Sequence, residues 1–206
     1  MKPESSLASI KRYNAEIVAG SLLVAESRKL AELLLKGLDS VALNKAIISD
    51  NVLQKKSPAT AKRQAALIKK RLDLMTPDLW RLVVNGTHEV ATQALLAAAI
   101  KHSHLLGDFL QSVVKARLKV FENQLSRKDW TTYLEEREQL DSEVALWAES
   151  TRNKLGEVIF RMLAEAKYLD STRSLKITPV VIIDEVRRYL TDSSEQYVLD
   201  CMEITE

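Results

Sequence analysis

The chain has 206 residues, of which 46% are apolar and 28% are charged, a balance typical of a protein that folds around a core. One cysteine excludes a disulfide framework and a zinc site of four thiolates, and the net charge of +2 gives no overall attraction for nucleic acid. Five Gly and four Pro are too few for a loop-rich β protein, while Leu and Ala, both good helix formers, are abundant. We therefore expect an all-α, multi-helix globular protein.

The first predicted elements follow a lead-in over residues 1–20. Apolar residues over 21–34 recur at three- and four-residue steps, which predicts a helix that Gly37 ends in the left-handed conformation. A short second helix is expected over 41–48, and Ser57-Pro58 begins a third that runs to about residue 74. The apolar stripe of this third helix is expected to be buried: Ala61, Ala65, Ile68, Leu72 and Met75.

The middle of the chain, residues 76–140, is expected to form a central helical hub. Thr76-Pro77 begins a short helix, and Thr87 begins an Ala-rich one that is apolar on all sides over 94–100. A helix of that kind belongs at the centre of a protein. Further helix is predicted after residue 103, with a break near Gly107 and a capping-box start at Ser126.

The last third of the chain is expected to contain a β-hairpin as well as helices. We predict a short helix around Val144, a longer one that Ser150-Thr151 caps, a small β-hairpin over 168–178 and an acidic tail from Asp192. This order of elements is that of a winged helix. The three predicted segments, packed as one compact unit, are an N-terminal helical domain with a helix-turn-helix over 1–75, the hub over 76–140 and a winged-helix-like segment with an acidic tail over 141–206.

No apolar run in the sequence is long enough to cross a membrane. The longest, residues 94–100, is far short of the roughly 20 residues that a spanning helix needs. The N-terminus also has no apolar core of a signal peptide. We therefore expect a cytoplasmic protein without a membrane partner.

Charge is strongly segregated along the chain. Residues 184–206 hold seven acidic side chains and two basic ones, and residues 135–149 form a second acidic block. Residues 51–72 contain seven basic residues and no acidic one, so a positive electrostatic potential is expected there. The seven basic residues are Lys55, Lys56, Lys62, Arg63, Lys69, Lys70 and Arg71. Either these side chains face a phosphate backbone or they form an ordinary solvated helix face.

The placement of these bases favours DNA. A short helix, a turn and a longer helix have the order of a helix-turn-helix, and Ala59 and Ala66 are small enough for close approach to a groove. The residues expected to contact phosphates are Lys55, Lys56, Lys62, Lys69 and Lys70. On the N-terminal face of the helix, Ser57 is the expected cap, and the residues expected to reach base edges are Thr60, Arg63 and Gln64.

The C-terminal segment supplies a second candidate DNA-binding surface. Arg152, Asn153 and Lys154 fall in the first turn of its longer helix, and Arg173 and Lys176 fall on the expected wing, where phosphates are usually met. The alternative is an ordinary helical pair with a connector. One detail favours that alternative, because Lys167 stands where Gly would best end the helix.

No residues form a recognisable catalytic or metal site. His102 and His104 are two positions apart, so on a helix they point about 200° apart and cannot share an ion. Cys201 lies in an acidic tail, which disfavours a thiolate nucleophile. Trp80, Trp130 and Trp147 are expected in the core. With no phosphate-binding glycine loop and no nucleophile elbow, we expect no enzyme, no metal, no cofactor and no small-molecule substrate.

Five segments resemble the BrxA family of BREX (bacteriophage exclusion) systems. They are residues 75–83 (MTPDLWRLV), 93–98 (QALLAA), 105–109 (LLGDF), 147–155 (WAESTRNKL) and 161–166 (RMLAEA). The resemblance spans roughly residues 20–190 and contains no catalytic signature to transfer. It implies an all-helical cytoplasmic protein of phage defence, with helix-turn-helix elements and affinity for double-stranded DNA. Such a protein would act beside a site-specific DNA methyltransferase and other BREX proteins.

Three alternatives stay open. Members of the family have been likened to the RNA-binding antitermination factor NusB, which implies an RNA-binding helical bundle. A protein–protein adaptor would instead use the acidic blocks to bind basic partners within the defence complex. An acidic tail folded over the basic helix would mimic DNA and inhibit its binding. Members have also been labelled inner-membrane proteins, which this sequence does not support.

Overall fold

The structure, a computed structural model, describes residues 13–204 and is all-α, as predicted. Its helices are, in chain order, α1 (Val24–Leu35), α2 (Ser40–Ile48), α3 (Pro58–Asp73), α4 (Pro77–Asn85), α5 (His88–His102), α6 (His104–Phe109), α7 (Lys115–Lys119), α8 (Arg127–Glu138), α9 (Ser142–Ala145), α10 (Glu149–Glu165), α11 (Asp184–Asp192) and α12 (Gln196–Met202). A 3₁₀ turn, Glu16–Ala19, precedes α1. Within the described range, β structure is limited to two isolated antiparallel bridges, Gln124 with Lys176 and Leu169 with Ile177.

Helix α5 is the centre of the molecule. Every residue from Val90 to Ile100 is buried, which confirms the interpretation of the Ala-rich segment. Helices α1, α3, α4, α6, α11 and α12 all pack against α5. The Thr87 hydroxyl caps this helix by accepting a hydrogen bond from the Val90 amide, so the predicted start is also correct.

The N-terminal third follows the predicted order with one shift. Helix α1 begins at Val24, because the Ser21 hydroxyl and the Leu22 amide instead donate hydrogen bonds of 2.7 and 2.9 Å to the carboxylate of Glu165. The segment before it is no free lead-in where it is described, since Tyr13 and Ile17 are buried. The part of that prediction over residues 1–12 lies outside the described residues. The stripe predicted for α3 is fully buried: Ala61, Ala65, Ile68, Leu72 and Met75.

Several helices end on a residue in the left-handed conformation. Gly37 ends α1 in this way with φ of +72°, as predicted. The corresponding position is occupied by a residue other than glycine after three more helices: Phe121 after α7, Lys167 after α10 and Ser194 after α11. In each case the next amide donates to a carbonyl five residues back, for example from Tyr168 to Leu163. Glycine is the residue that fits this conformation best, so the three side chains are held there at a backbone cost.

Two predicted details in the second half are wrong. The chain does not break at Gly107, which lies inside α6; the bend is at Ser103, and a π-helix, Leu110–Val114, follows. A Cβ on Gly107 would come within 2.5 Å of the Tyr197 hydroxyl, so glycine permits the close packing of α12 on α6. Helix α10 begins at Glu149, which places Ser150-Thr151 inside its first turn rather than at its cap.

The segment over 168–178 folds back on itself, as the predicted hairpin requires, but forms no regular strand. Its turn is closed by the Asp170 amide, which donates to the Lys176 carbonyl at 3.0 Å, and by the Thr178 amide, which donates to the Tyr168 carbonyl at 3.1 Å. A third stretch lies alongside, since the Leu125 amide donates to the Leu175 carbonyl at 3.1 Å. This pairing joins the loop before α8 to the turn.

The acidic C-terminal segment is part of the core. Val198, Leu199, Cys201 and Met202 of α12 are buried, and α12 packs against α5, α6 and α11. Truncation after residue 190 would therefore remove core side chains, so it cannot serve as a test of the idea that a free acidic tail covers the basic helix. Over residues 13–204, we find no helix that is both long enough and apolar enough to cross a membrane.

Candidate nucleic-acid interface

The first candidate surface is the exposed face of α3. The chain between α2 and α3, residues 49–57, is longer than the turn of about three or four residues typical of a helix-turn-helix, which therefore stays a prediction. The exposed side chains of α3 include both small residues of the prediction, Ala59 and Ala66, and most of its bases. The helix thus presents a face that alternates small and basic residues.

Three bases of this surface are paired with carboxylates. Lys55 contacts Glu26, and both side chains are largely buried. The Lys69 ammonium lies 2.6 Å from Asp73, one turn along α3, and the Lys70 ammonium lies 2.6 Å from Glu16. Because these pairs have to open before the ammonium groups can meet phosphates, they contribute less to an anion-binding surface than their number indicates.

Three other bases are exposed and form no ion pair with any of residues 13–204: Lys56, Lys62 and Arg63. Lys62 and Arg63 lie on the N-terminal turns of α3, between Ala59 and Ala66, and Lys56 lies just before the helix. Of the residues predicted to reach base edges, Arg63 is exposed, whereas Thr60 and Gln64 are half-buried, as is the predicted cap Ser57. The Gln64 Oε1 atom is buried and lacks a hydrogen-bond partner within the described part of the chain.

The seventh base of the segment, Arg71, points into the protein. Its side chain is 3% exposed, and its guanidinium donates hydrogen bonds to the carbonyls of Ser21 and Gly20 at 2.6 and 3.1 Å. Burial lowers the pKa of Arg71 to about 10, while the nearby Glu165 carboxylate opposes that shift. Arg71 is therefore a structural residue. It shares only its position in the sequence with the six other basic residues of the segment.

A buried histidine lies at the edge of the same surface. The His102 side chain is 7% exposed, and its Nε2 atom lies 3.1 Å from the Glu16 carboxylate that also binds Lys70. Burial, and then the positive charge of Arg71, lower the pKa of His102, while Glu16 acts in the opposite direction. Among the described residues, its Nδ1 atom has no partner.

The second candidate surface is divided by the structure. The Arg152 guanidinium donates to the carbonyls of Trp147 and Val144 at 3.0 and 3.1 Å and also contacts Glu138, so it fixes α9 against the start of α10. Lys154 is exposed but lies 2.8 Å from Glu157. Asn153, Arg173 and Lys176 are exposed, and the two bases form no ion pair with any other described residue.

The pairing of residues 123–125 with 174–177 brings further bases to Arg173 and Lys176. The Ile177 amide donates to the Asn123 carbonyl at 2.7 Å, and the Leu125 amide donates to Leu175, so the end of α7 and the start of α8 lie beside the turn. The exposed bases assembled there are Lys119, Arg127, Lys128, Arg173 and Lys176, which we name the loop surface. Sequence reasoning missed Lys119, Arg127 and Lys128. They are about 50 residues from the turn, and no local sequence pattern predicts that residues 123–125 pair with it.

The remaining chemically interesting groups are enclosed. Cys201 is fully buried, and burial raises the pKa of its thiol to about 12, although a hydrogen bond with Tyr197 opposes the shift. Trp130 is buried as predicted, whereas Trp80 and Trp147 are half-buried at the edge of the core. In residues 13–204 no three or more His, Cys, Asp or Glu side chains are grouped so that they could hold a metal ion.

The chain matches the sequence model of the BrxA family over residues 11–194. It belongs to the BrxA family. A BREX protein BrxA from Paramagnetospirillum magneticum is 44% identical over 194 residues, which cover 94% of this chain and 98% of the relative. A BREX protein BrxA from Escherichia coli is 31% identical over 97% of this chain and 93% of the relative.

A solved structure has the same fold. The crystal structure of an uncharacterized protein from Magnetospirillum magneticum superposes with a TM-score of 0.89 at 42% sequence identity. The match covers 94% of this chain and all of the other. The all-helical fold described above is therefore shared with this solved structure. The family resemblance seen in the sequence is confirmed by the family match.

Proposed function

We propose that this BrxA-family protein is a non-enzymatic, double-stranded DNA-binding accessory protein of a BREX phage-defence system, acting in the cytoplasm with the methyltransferase and other BREX components. Membership of the BrxA family implies the role in BREX phage defence. One observation carries the DNA-binding part of the proposal. Lys56, just before α3, and Lys62 and Arg63, on the α3 face that carries Ala59 and Ala66, are exposed and have no carboxylate partner among the described residues.

The physical reason is the release of counterions. A cation that meets a phosphate displaces condensed salt ions, so each such pairing adds to the affinity, and the affinity falls as salt rises. Bases without a carboxylate partner pair with phosphates without first breaking an ion pair. Arg63 also has the planar, forked geometry that suits a phosphate or a guanine edge. The positive end of the α3 dipole adds a favourable field for an anion at the start of the helix.

The test is a duplex-binding titration at two salt concentrations with the triple variant Lys56→Ala, Lys62→Ala, Arg63→Ala. We expect weaker binding to all duplex sequences and a salt slope that is smaller by about 0.9 for each phosphate that the variant no longer neutralises. The matched control is Arg161→Ala, Lys167→Ala, Arg188→Ala, which removes the same charge from three other exposed positions. Equal binding by wild type and the first triple variant would show that the α3 face is not the DNA-binding surface.

RNA is the first competitor to exclude. Structured and single-stranded RNA are titrated against a labelled duplex at one fixed salt concentration. The proposal predicts that unlabelled duplex displaces the probe at the lowest concentration. Preferential displacement by RNA would favour an RNA-binding bundle instead.

A second candidate function, a protein–protein adaptor, has one specific observation in its favour. Leu140 and Leu146 are 68% and 78% exposed within the acidic block over 135–149. Exposed apolar side chains in an acidic segment suit a partner with a basic rim. The adaptor predicts that Leu140→Asp with Leu146→Asp abolishes co-purification with other BREX proteins and leaves duplex binding unchanged.

A further inference from the structure

Phe121 projects from the loop surface into solvent. Its side chain is 98% exposed, and its neighbour Val120 is 63% exposed. An exposed phenyl ring contributes nothing to the core, and it leaves a large apolar area in water. Core packing therefore does not account for the residue at this position.

The backbone does not account for it either. Phe121 follows the last turn of α7 with φ of +60°, where its amide donates to Leu118 and the Glu122 amide donates to Arg117, both at 2.9 Å. This is the helix-ending position that glycine fits without strain. An aromatic residue held there, outside the core, is disfavoured by both the backbone and the solvent, which points to a role in binding.

The loop that carries Phe121 is firmly anchored. Arg117 contacts both Glu122 and Asp129, so one guanidinium joins the end of α7 to the start of α8. On the other side, the backbone of Asn123 and Leu125 is hydrogen-bonded to the turn over 174–177. The backbone that carries the Phe121 ring is thus fixed on both sides.

The charge around the ring is positive. Residues 115–129 and 170–176 together hold seven basic and three acidic side chains, which gives a local charge of +4. All three carboxylates are already occupied: Glu122 and Asp129 hold Arg117, and Asp170 accepts hydrogen bonds from the turn at Ser171, Ser174 and Lys176. The five bases of the loop surface are exposed, and the Arg127 guanidinium also lies 5.9 Å from the centre of the Phe160 ring. This excess of positive charge is complementary to a polyanion.

We propose that Phe121 is a wedge that inserts between adjacent base pairs of duplex DNA from the minor groove, while the bases of the loop surface contact the phosphates on either side. Apolar wedges of this kind partly unstack one base step and kink the duplex. The inference rests on the proposed DNA-binding function and deepens it. It also gives Arg173 and Lys176 a defined role as phosphate-binding residues that flank the wedge.

The experiment uses the full chain and duplexes that carry 2-aminopurine, whose fluorescence rises when a base step unstacks. Wild type should raise the fluorescence on binding. Phe121→Ala should lose that rise and bind about tenfold more weakly, as expected for the removal of one stacking aromatic. Phe121→Trp should keep both properties. Leu146→Ala removes an exposed apolar side chain elsewhere and should bind and unstack like wild type.

Phe121→Gly separates a binding role from a structural one. Because glycine fits the left-handed position, this variant should unfold about 2–4 °C higher than wild type, yet lose the fluorescence rise. The salt slope should stay near the wild-type value, since every phosphate-binding base is retained. A variant that is more stable and yet binds less well cannot be explained by misfolding.

The outcomes are distinguishable. If wild type binds no duplex, the proposed function fails and the wedge with it. If wild type binds duplex but Phe121→Ala and Phe121→Gly bind and unstack it equally well, the wedge is wrong and the proposed function stands. A larger loss of affinity for single-stranded RNA than for duplex would assign the ring to RNA stacking and overturn the proposal.

Discussion

The guanidinium of Arg71 on α3 donates a 2.6 Å hydrogen bond to the backbone carbonyl of Ser21, just before α1. A second hydrogen bond reaches the Gly20 carbonyl, and the Glu165 carboxylate from α10 binds the Ser21 hydroxyl and the Leu22 amide. The segment over residues 20–22 is therefore held by α3 on one side and by α10 on the other. The position of α3, and with it the first candidate surface, depends on this interior arrangement.

Replacement of Arg71 by alanine should destabilise the protein by about 3 kcal/mol. The buried Ser21 carbonyl and the partly buried Gly20 carbonyl would lose their charged donor, and Glu165 would lose its nearby cation. Urea unfolding followed by circular dichroism measures the change. Lys70→Ala, which removes the adjacent exposed base, is the control and should cost less than about 1 kcal/mol. Equal effects of the two substitutions would contradict the structural role of Arg71.

Stability should fall as the pH falls through the range in which His102 titrates. Burial and Arg71 lower the pKa of His102 below its ordinary value of 6.5, so the unfolded chain binds the proton more readily than the folded protein. The contribution is present above pH 6.5 and is lost as the pH falls through the folded-state pKa. The midpoint of urea unfolding should therefore be lower near about pH 5.5 than near about pH 7.5.

His102→Gln is the control for that pH dependence, since glutamine is polar but does not titrate. The variant should show a smaller difference between the two midpoints than wild type. Glu16 does not interfere, because the hydrogen bond from Lys70, followed by that from His102, lowers the pKa of its carboxyl below 4.5, outside the window. An unchanged difference in the variant would assign the effect to another group.

Lys167→Gly should stabilise the protein. Lys167 is exposed and holds φ of +66° at the end of α10, where glycine removes the strain of a side chain. The expected gain is about 0.5–1 kcal/mol in the free energy of unfolding. Lys167→Ala removes the same charge but retains a Cβ, so it should show no such gain. If both variants are stabilised equally, the cause is the removal of the charge rather than the backbone.

Gly156→Ala should destabilise the protein even though alanine favours helices. A Cβ at position 156 of α10 would come within 2.7 Å of the Trp130 indole, a rigid ring held by a 2.9 Å hydrogen bond to the Arg152 carbonyl. The clash should cost about 1–3 kcal/mol and outweigh the helix preference of about 1 kcal/mol. Thermal unfolding measures it, with Glu157→Ala at the next, exposed position as the control. A rise in the midpoint of Gly156→Ala would show that Trp130 can move.

The fold could be predicted well because local signals decide it. Pro58 and Pro77 mark two helix starts, the stripe from Ala61 to Met75 marks the buried face of α3, and an all-apolar run marks the centre of the molecule. Helix ends were harder to predict. Three of them use Phe121, Lys167 or Ser194 in place of glycine, and a chain with five glycines gives few other signals for a helix end.

The candidate interface could be predicted less well, because a charge is available to a ligand only if its neighbours leave it free. Lys55 and Lys70 are paired with Glu26 and Glu16, which are 29 and 54 residues away in the chain. Arg152 is occupied by the carbonyls at the end of α9. No sequence window shows such pairings, and the same holds for the bases that the paired backbone at Leu125 brings to the turn.

The buried thiol of Cys201 can report local unfolding of the protein. With the sulfur fully buried and its proton tightly held, a thiol reagent can attack only molecules in which α12 has left the core. Because the sequence has a single cysteine, the labelled fraction counts those openings directly. The same measurement in the presence of duplex DNA reports whether a ligand at the basic surfaces holds the C-terminal helix closed.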